Sequence, residues 1–303
     1  MLSAPLRVYW DLCPENSGGI SAQAAEAIAG QLASLRVFFV TLRLQDGKRD
    51  GLGVVIKALK AGGSKVVVSV ASPESMPGKD VLADAGGLDL YVRDKGTLAE
   101  LLKSLVLPEG LPISVSMVPD RSNLADIVEV VKAALDAGIK TFYLINPDLV
   151  NSSGDASAYA LSADQRSEFK AAIEGVLEPL GSDVRLFVHD LFLHKALDLP
   201  GLGGRIEYAG CQAGDAIAYI DKRGLVYPCA TLAQPLGDLT KATLKEVWGS
   251  EHRRRIREKL VTIPEECAPC KEADDCKGGC RGLAWAAGGQ KNMESNDSKD
   301  PNC

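Results

Sequence analysis

The sequence predicts an α/β protein with a second, cysteine-rich unit at its C-terminal end. Three observations predict it. Short runs rich in Val, Ile, Leu and Phe alternate with helical patterns over the first two thirds of the chain. These runs show little apolar–polar alternation. Seven of the eight cysteines follow residue 200. Near-continuous apolar runs indicate strands buried on both faces, as in parallel sheets, and strand–helix alternation builds βαβ units. Six or seven such units suit a barrel or partial barrel as well as an open doubly wound sheet. In a barrel, chemistry sits at the C-terminal strand ends.

The expected strands are LRVYWDL (6–12), RVFFVTLR (36–43), KVVVSVA (65–71), LDLYV (88–92), PISVSMV (112–118), KTFYLIN (140–146) and VRLFVH (184–189). Helices fall between them. The first, 21–35, opens with Ser21 as N-cap. The second, 50–63, ends in a glycine pair. The third, 123–138, has apolar residues three and four apart and stops at Gly138. The fourth, 163–180, follows a polar loop. LDLPGLGGR (197–205) reads as a linker, which divides the chain into 1–200 and 201–303.

With 303 residues, 46% of them hydrophobic and 24% charged, the chain can bury a sizeable core without disulfides. A net charge of −6 argues against nucleic acid as a partner. The one basic run, His252 to Lys259, reads as a solvated helix face. No stretch approaches the roughly 20 apolar residues that span a membrane, and MLSAPLRVYWDL lacks the pattern of a signal peptide. A cytoplasmic protein is expected. There, clustered cysteines bind metal or do redox chemistry.

The seven late cysteines are Cys211, Cys229, Cys267, Cys270, Cys276, Cys280 and Cys303. Their spacing is C-x12-G-x4-C, a gap, C-x2-C-x5-C-x3-C, a gap, and C. Iron–sulfur clusters take soft thiolates, usually four to a cubane, and Gly278–Gly279 would let the backbone fold tightly around one. Zinc on Cys267, Cys270, Cys276 and Cys280 competes with this, but leaves the other three unexplained. A split of four and three suggests two clusters, one with a corner lacking a thiolate.

The C-terminal part resembles a SPASM domain, the auxiliary-cluster module of many radical SAM enzymes that modify peptides. GCQAG (210–214), YIDKRGLVYPC (219–229), LGDL (236–239), LKEVWGS (244–250) and CKGGC (276–280) fit the same family. The resemblance implies two [4Fe–4S] clusters, one on Cys267, Cys270, Cys276 and Cys303 and the other on Cys211, Cys229 and Cys280. The family often has an eighth Cys just before the first, where this chain has GGRIEYAG. The open corner would be vacant or taken by Glu207, Tyr208, water or a substrate group.

The first two thirds resemble a radical SAM partial barrel in degenerate form, with LRVYWDL as its first strand. The next loop should carry C-x3-C-x2-C and instead reads CPENSGGIS (13–21). Cys13 stands alone, and the GGEP-type motif after the second strand is absent. One thiolate cannot hold the cluster that cleaves SAM, so no SAM-cleaving cluster is expected. Both halves together resemble the GeoRSP-system SPASM domain proteins. That family implies three partners: a true radical SAM/SPASM enzyme, a PqqD-like peptide chaperone and a precursor peptide. The implied role is a non-catalytic one, relaying electrons or positioning the peptide. Two alternatives stay open: an independent enzyme using the open iron corner on a small molecule, and a metal-stapled binding module.

Other residues weigh less. Cys13 is a reactive thiol at a barrel mouth or an inert loop residue. His189 and Asp190 end a predicted strand, and Asp120 and Asp148 lie just past two others. They are acid–base candidates or capped-loop residues with ordinary polar contacts. His194 and His252 read as surface or packing residues. The glycine pairs 18–19, 86–87 and 203–204 lack phosphate-loop spacing and read as turns.

Overall fold

A computed structural model describes residues 1–152, 156–178, 183–198, 210–288 and 299–303. The predicted linker lies outside them beyond Asp198, as do Gly203, Gly204, Glu207 and Tyr208. In chain order the elements are β1 (Arg7–Asp11), α1 (Ala22–Ser34), β2 (Phe39–Leu44), α2 (Leu52–Ala61), β3 (Lys65–Val70), α3 (Lys79–Leu82), β4 (Gly87–Tyr91), α4 (Lys95–Lys103), β5 (Ile113–Met117), α5 (Leu124–Asp136), β6 (Thr141–Leu144), α6 (Ala163–Leu177), β7 (Arg185–Val188), α7 (Leu191–Leu197), β8 (Ile217–Ile220), β9 (Leu225–Tyr227), β10 (Gly237–Asp238), α8 (Leu244–Gly249), α9 (Glu251–Val261), α10 (Ala273–Cys276) and α11 (Arg281–Ala287). Among the described residues no helix is long and apolar enough to cross a membrane.

The chain forms two compact units. Met1–Tyr91, Ala99–Ile113 and Gln212–Arg257 make the first, and Val92–Leu98, Ser114–Cys211 and Glu258–Cys303 make the second. Strands of the first unit run in the order β10-β9-β8-β1-β2-β3-β4. β1 is parallel to both β2 and β8, β2 to β3 and β3 to β4, while β9 is antiparallel to β8 and β10. Val8, Trp10, Val40, Leu42, Val66 and Val68 are buried and alternate with half-exposed residues, so this sheet has one dry face and one wetter face. Each such buried side chain contributes roughly 1.5–3 kcal/mol. Apolar stripes on α1 (Ala25, Ile28, Ala29, Leu32) and α2 (Leu52, Val55, Ile56, Leu59) are buried too. The two helices approach so closely that a Cβ at Gly62 would lie 2.5 Å from Ala33.

Ser21 caps α1 as expected, its Oγ accepting from the Ala24 N–H at 3.1 Å. The second strand begins later than its apolar run suggests, because residues 35–37 close α1. Arg36 is left-handed, at φ 53°, and the Val37 N–H returns to the Leu32 carbonyl. The basic run on α9 corrects a prediction. Arg253 and Arg257 are buried, not solvated. Their guanidinium groups donate to the carbonyls of Gly214 (2.8 Å) and Ala213 (3.1 Å), and Arg253 lies over the Trp248 ring. Backbone acceptors that no local pattern announces draw them inward.

In the second unit β5, β6 and β7 are parallel neighbours. Ser162 and Gln165 form a capping box at the start of α6. Leu149, Ala156 and Leu283 form a small core against which Tyr159, Cys280 and Ala286 pack.

Candidate metal centre

Six of the seven predicted ligands lie in the second unit and Cys229 lies in the first. Cys267 ends a single 3-10 turn, and its carbonyl accepts from the Cys270 N–H at 2.9 Å. Cys276 ends α10. After it Lys277, Gly278 and Gly279 are all left-handed, with φ of 50°, 84° and 70°. The Lys277 N–H donates to the Ala273 carbonyl at 2.8 Å and the Gly279 N–H to the Cys276 carbonyl at 3.0 Å, so the run closes α10 tightly. Burial raises the Cys276 thiol pKa, and the backbone N–H groups of Gly278 and Gly279 oppose that rise. A Cβ at Gly278 would meet Pro264 at 2.8 Å, and one at Gly279 would meet Asp300 at 2.5 Å. No residue but glycine fits this turn.

The other thiols sit in the same electrostatic neighbourhood. Burial pushes the Cys267 thiol up, Cys303 adds to this, and Arg281 opposes it. Arg281 opens α11 and is itself buried. Burial works against its charge, while Cys211, Cys267, Cys280 and Asp300 favour it. The cation thus faces members of both predicted ligand sets. Asn146, just past β6, donates its side-chain N–H to the Cys280 sulfur at 3.3 Å. Cys267 and Cys276 are buried, Cys211 and Cys280 half-buried, and Cys270 and Cys303 exposed. No disulfide joins any of the eight cysteines. Among the described residues no three Cys, His, Asp or Glu side chains converge as a ready metal-binding group. The thiols share a neighbourhood without meeting at a point.

In the first unit Cys229 follows β9 and is bridged to Leu232. Cys13 lies in a tight loop after β1. A Cβ on Gly19 would overlap the Cys13 carbonyl, which accepts from Arg49 Nη1 at 3.0 Å. The Cys13 thiol is buried, and its pKa is pushed up to about 12 by burial, then by Asp11 and Asp46. At neutral pH it is a protonated thiol rather than a thiolate. Beside it a polar row crosses the C-terminal strand ends in register: Asp11, Arg43, Ser69 and Asp89. Arg43 pairs with Asp11 at 2.8 Å, and the Ser69 hydroxyl donates to Asp89 at 2.8 Å. The Tyr219 hydroxyl also donates to Asp11.

Asp120 and Asp148 make the contacts of ordinary loops, whereas burial raises the Asp190 carboxyl, which also accepts from Asn302 Nδ2 at 3.5 Å. Asp120 accepts from the Ser122 N–H and hydroxyl, Asp148 from the Val150 and Asn151 N–H groups, and Asp190 caps α7 through the Leu193 N–H. His252 Nε2 lies 3.1 Å from the Pro235 carbonyl at the surface. The spacing of the cysteines gives no sign of Asn146, Arg281 or Asp300, since their partners are distant in sequence or act through backbone.

Four of the seven thiols, Cys211, Cys229, Cys267 and Cys270, fall within a known module. Residues 211–271 match SPASM, an iron–sulfur cluster-binding domain. No curated protein matches the chain. The whole fold is similar to that of Streptococcus suis SuiB. With SuiB bound to precursor peptide SuiA, the TM-score is 0.70 at 15% identity, covering 100% of this chain and 76% of SuiB. With SuiB bound to S-adenosylmethionine it is 0.68 at 16%, covering 100% and 78%. Native anSMEcpe with bound AdoMet gives 0.62 at 14%, covering 99% of this chain and 94% of that one. The chain therefore has the parallel-strand α/β fold of radical SAM enzymes together with a SPASM domain, as the sequence predicts. The thiol set fits an iron–sulfur group: the candidate ligands are soft thiols, the backbone N–H groups of Gly278 and Gly279 favour the Cys276 thiolate, and a Cβ at either glycine would fill the turn.

Proposed function

We propose that this protein holds two [4Fe–4S] clusters, carries no SAM-cleaving cluster, and acts as the partner of a radical SAM/SPASM enzyme in modifying a precursor peptide. A PqqD-like chaperone would deliver that peptide. Cys267, Cys270, Cys276 and Cys303 would hold one cluster, and Cys211, Cys229 and Cys280 would hold three corners of the other. The observation that carries the reading is the loop after β1. It offers one thiol, Cys13, buried and pushed up to about 12, where a SAM-cleaving cluster needs three thiolates.

When bound, such clusters supply one-electron transfer. The chain's own residues then set how that charge is held. The Gly278 and Gly279 N–H groups support the Cys276 thiolate, Asn146 donates to the Cys280 sulfur, and Arg281 balances thiolates of both sets. For the peptide, the wetter sheet face of the first unit offers half-buried Tyr9, Thr41 and Arg43. SuiB, a protein of similar fold, has been seen with its precursor peptide. The test is anaerobic purification and reconstitution, followed by iron, sulfide and zinc analysis, EPR of the reduced protein, and an assay for 5′-deoxyadenosine. About eight iron and eight sulfide per chain, with no 5′-deoxyadenosine, is expected. One zinc without sulfide would overturn the electron-relay role, and 5′-deoxyadenosine formed by this chain alone would overturn the partner role.

A further inference from the structure

The last residues, Lys299–Cys303, are held by a buried carboxylate rather than by an apolar anchor. Asp300 is 1% exposed. Its Oδ2 accepts from the Cys280 N–H at 2.5 Å, and its Oδ1 accepts from the Asn302 N–H at 2.8 Å. The backbone closes the same loop. The Asp300 N–H donates to the Gly278 carbonyl at 3.2 Å, and the Asp300 carbonyl accepts from the Cys303 N–H at 2.9 Å. Gly279 leaves room for it, since a Cβ there would overlap Asp300. Asn302 adds a second anchor. Its Oδ1 accepts from the Leu161 N–H at 2.8 Å and its carbonyl from Arg166 at 3.3 Å. One side chain thus joins the turn that carries Cys276 and Cys280 to the segment that carries Cys303.

We propose that Asp300 is a positioning residue that fastens Cys303 to the Gly278–Cys280 turn, so that the terminal thiol completes the ligand set of Cys267, Cys270 and Cys276. This rests on the two-cluster reading, and it adds what fixes the distant fourth ligand. A buried carboxylate left without its two N–H donors would be costly, so the clasp closes as a unit. Cys303 is exposed, so its own burial does little to hold it in place.

The experiment compares wild type, Asp300→Asn, Asn302→Ala and Cys303→Ser in the full chain. Iron and sulfide are counted, EPR is recorded on the reduced protein, and amide hydrogen exchange is followed on cluster-free protein. Asp300→Asn keeps the shape but has one acceptor oxygen for two N–H groups, so either the Cys280 or the Asn302 N–H then faces an NH2 donor and the clasp cannot close. It should match Cys303→Ser, losing about half the iron and one EPR signal while keeping the other. In the cluster-free protein, exchange at Cys280 and Cys303 should rise at least about tenfold, with β5 and β6 unchanged. Asn302→Ala, which keeps the Asp300–Cys280 bond, should retain both signals. Wild type with no iron–sulfur content would remove the two-cluster reading itself. Wild type and Asp300→Asn with the same two signals and the same exchange would overturn the clasp alone. Loss of both signals together with exchange across the whole unit would also overturn it, because the residue would then be merely structural.

Discussion

Asn146 and Cys13 show how differently two side chains treat a sulfur. The Asn146 N–H points at the Cys280 sulfur, and such a bond favours added negative charge. Asn146→Ala should lower the potential of the cluster proposed on Cys211, Cys229 and Cys280. A fall of roughly 20–60 mV is expected, the one-electron equivalent of a hydrogen bond worth about 0.5–1.4 kcal/mol. An EPR-monitored redox titration reads it, and an unchanged potential would remove Asn146 from the site. Cys13 is buried beside Asp11 and Asp46, and burial raises its pKa from 9.0 to about 12. The raised thiol is neutral in the fold and ionises more easily when unfolded. Its stabilisation is therefore whole below pH 9.0 and is lost as pH rises toward about 12. Cys13→Ala should flatten the alkaline fall in melting temperature over that window. An equally steep fall in the variant would mean another group governs it.

At the scale of single elements, the turn after α10 is the most exacting. Gly279→Ala must place a Cβ where Asp300 already lies, at φ 70°, and should cost about 1–3 kcal/mol in chemical denaturation. Arg253 on α9 is buried over Trp248 with its guanidinium on the Gly214 carbonyl. Arg253→Ala should destabilise by about 2–4 kcal/mol, whereas a solvated position would give a change within about 0.5 kcal/mol. These cases also mark what is legible in a sequence. The Val-rich strand β3 and the 3- and 4-residue apolar spacing of α5 are local signals, and each forms close to where it is expected. α3, α4 and α7 are short helices of 4, 9 and 7 residues and carry little periodicity to read. Thiol spacing is equally local, and so the ligand candidates stand out. Asp300, Asn146 and the buried arginines do not, because a carboxylate or an amide acquires its role only from partners that the fold brings near.

For the whole molecule, metal removal should have an uneven effect. Six of the seven predicted ligands belong to the second unit, and cluster ligation adds to folding energy where the ligands are. Oxidative cluster loss should therefore speed amide exchange in 258–288 and 299–303 far more than in β1–β4. Uniform exchange across the chain would contradict this. A separate consequence follows from the pairing of β1 with β8 in the first unit. Leu6 and Arg7 both donate to the Ala216 carbonyl, and Arg7–Trp10 lie in register with Ile217–Ile220. β1 is therefore made some 200 residues before this neighbour, and must wait for it. At about 5–20 residues per second the wait is on the order of 10–40 s. Through that time one edge of the nascent sheet is open to any stray strand. Chaperone demand, and loss to aggregation when translation stalls before residue 220, should trace to that edge.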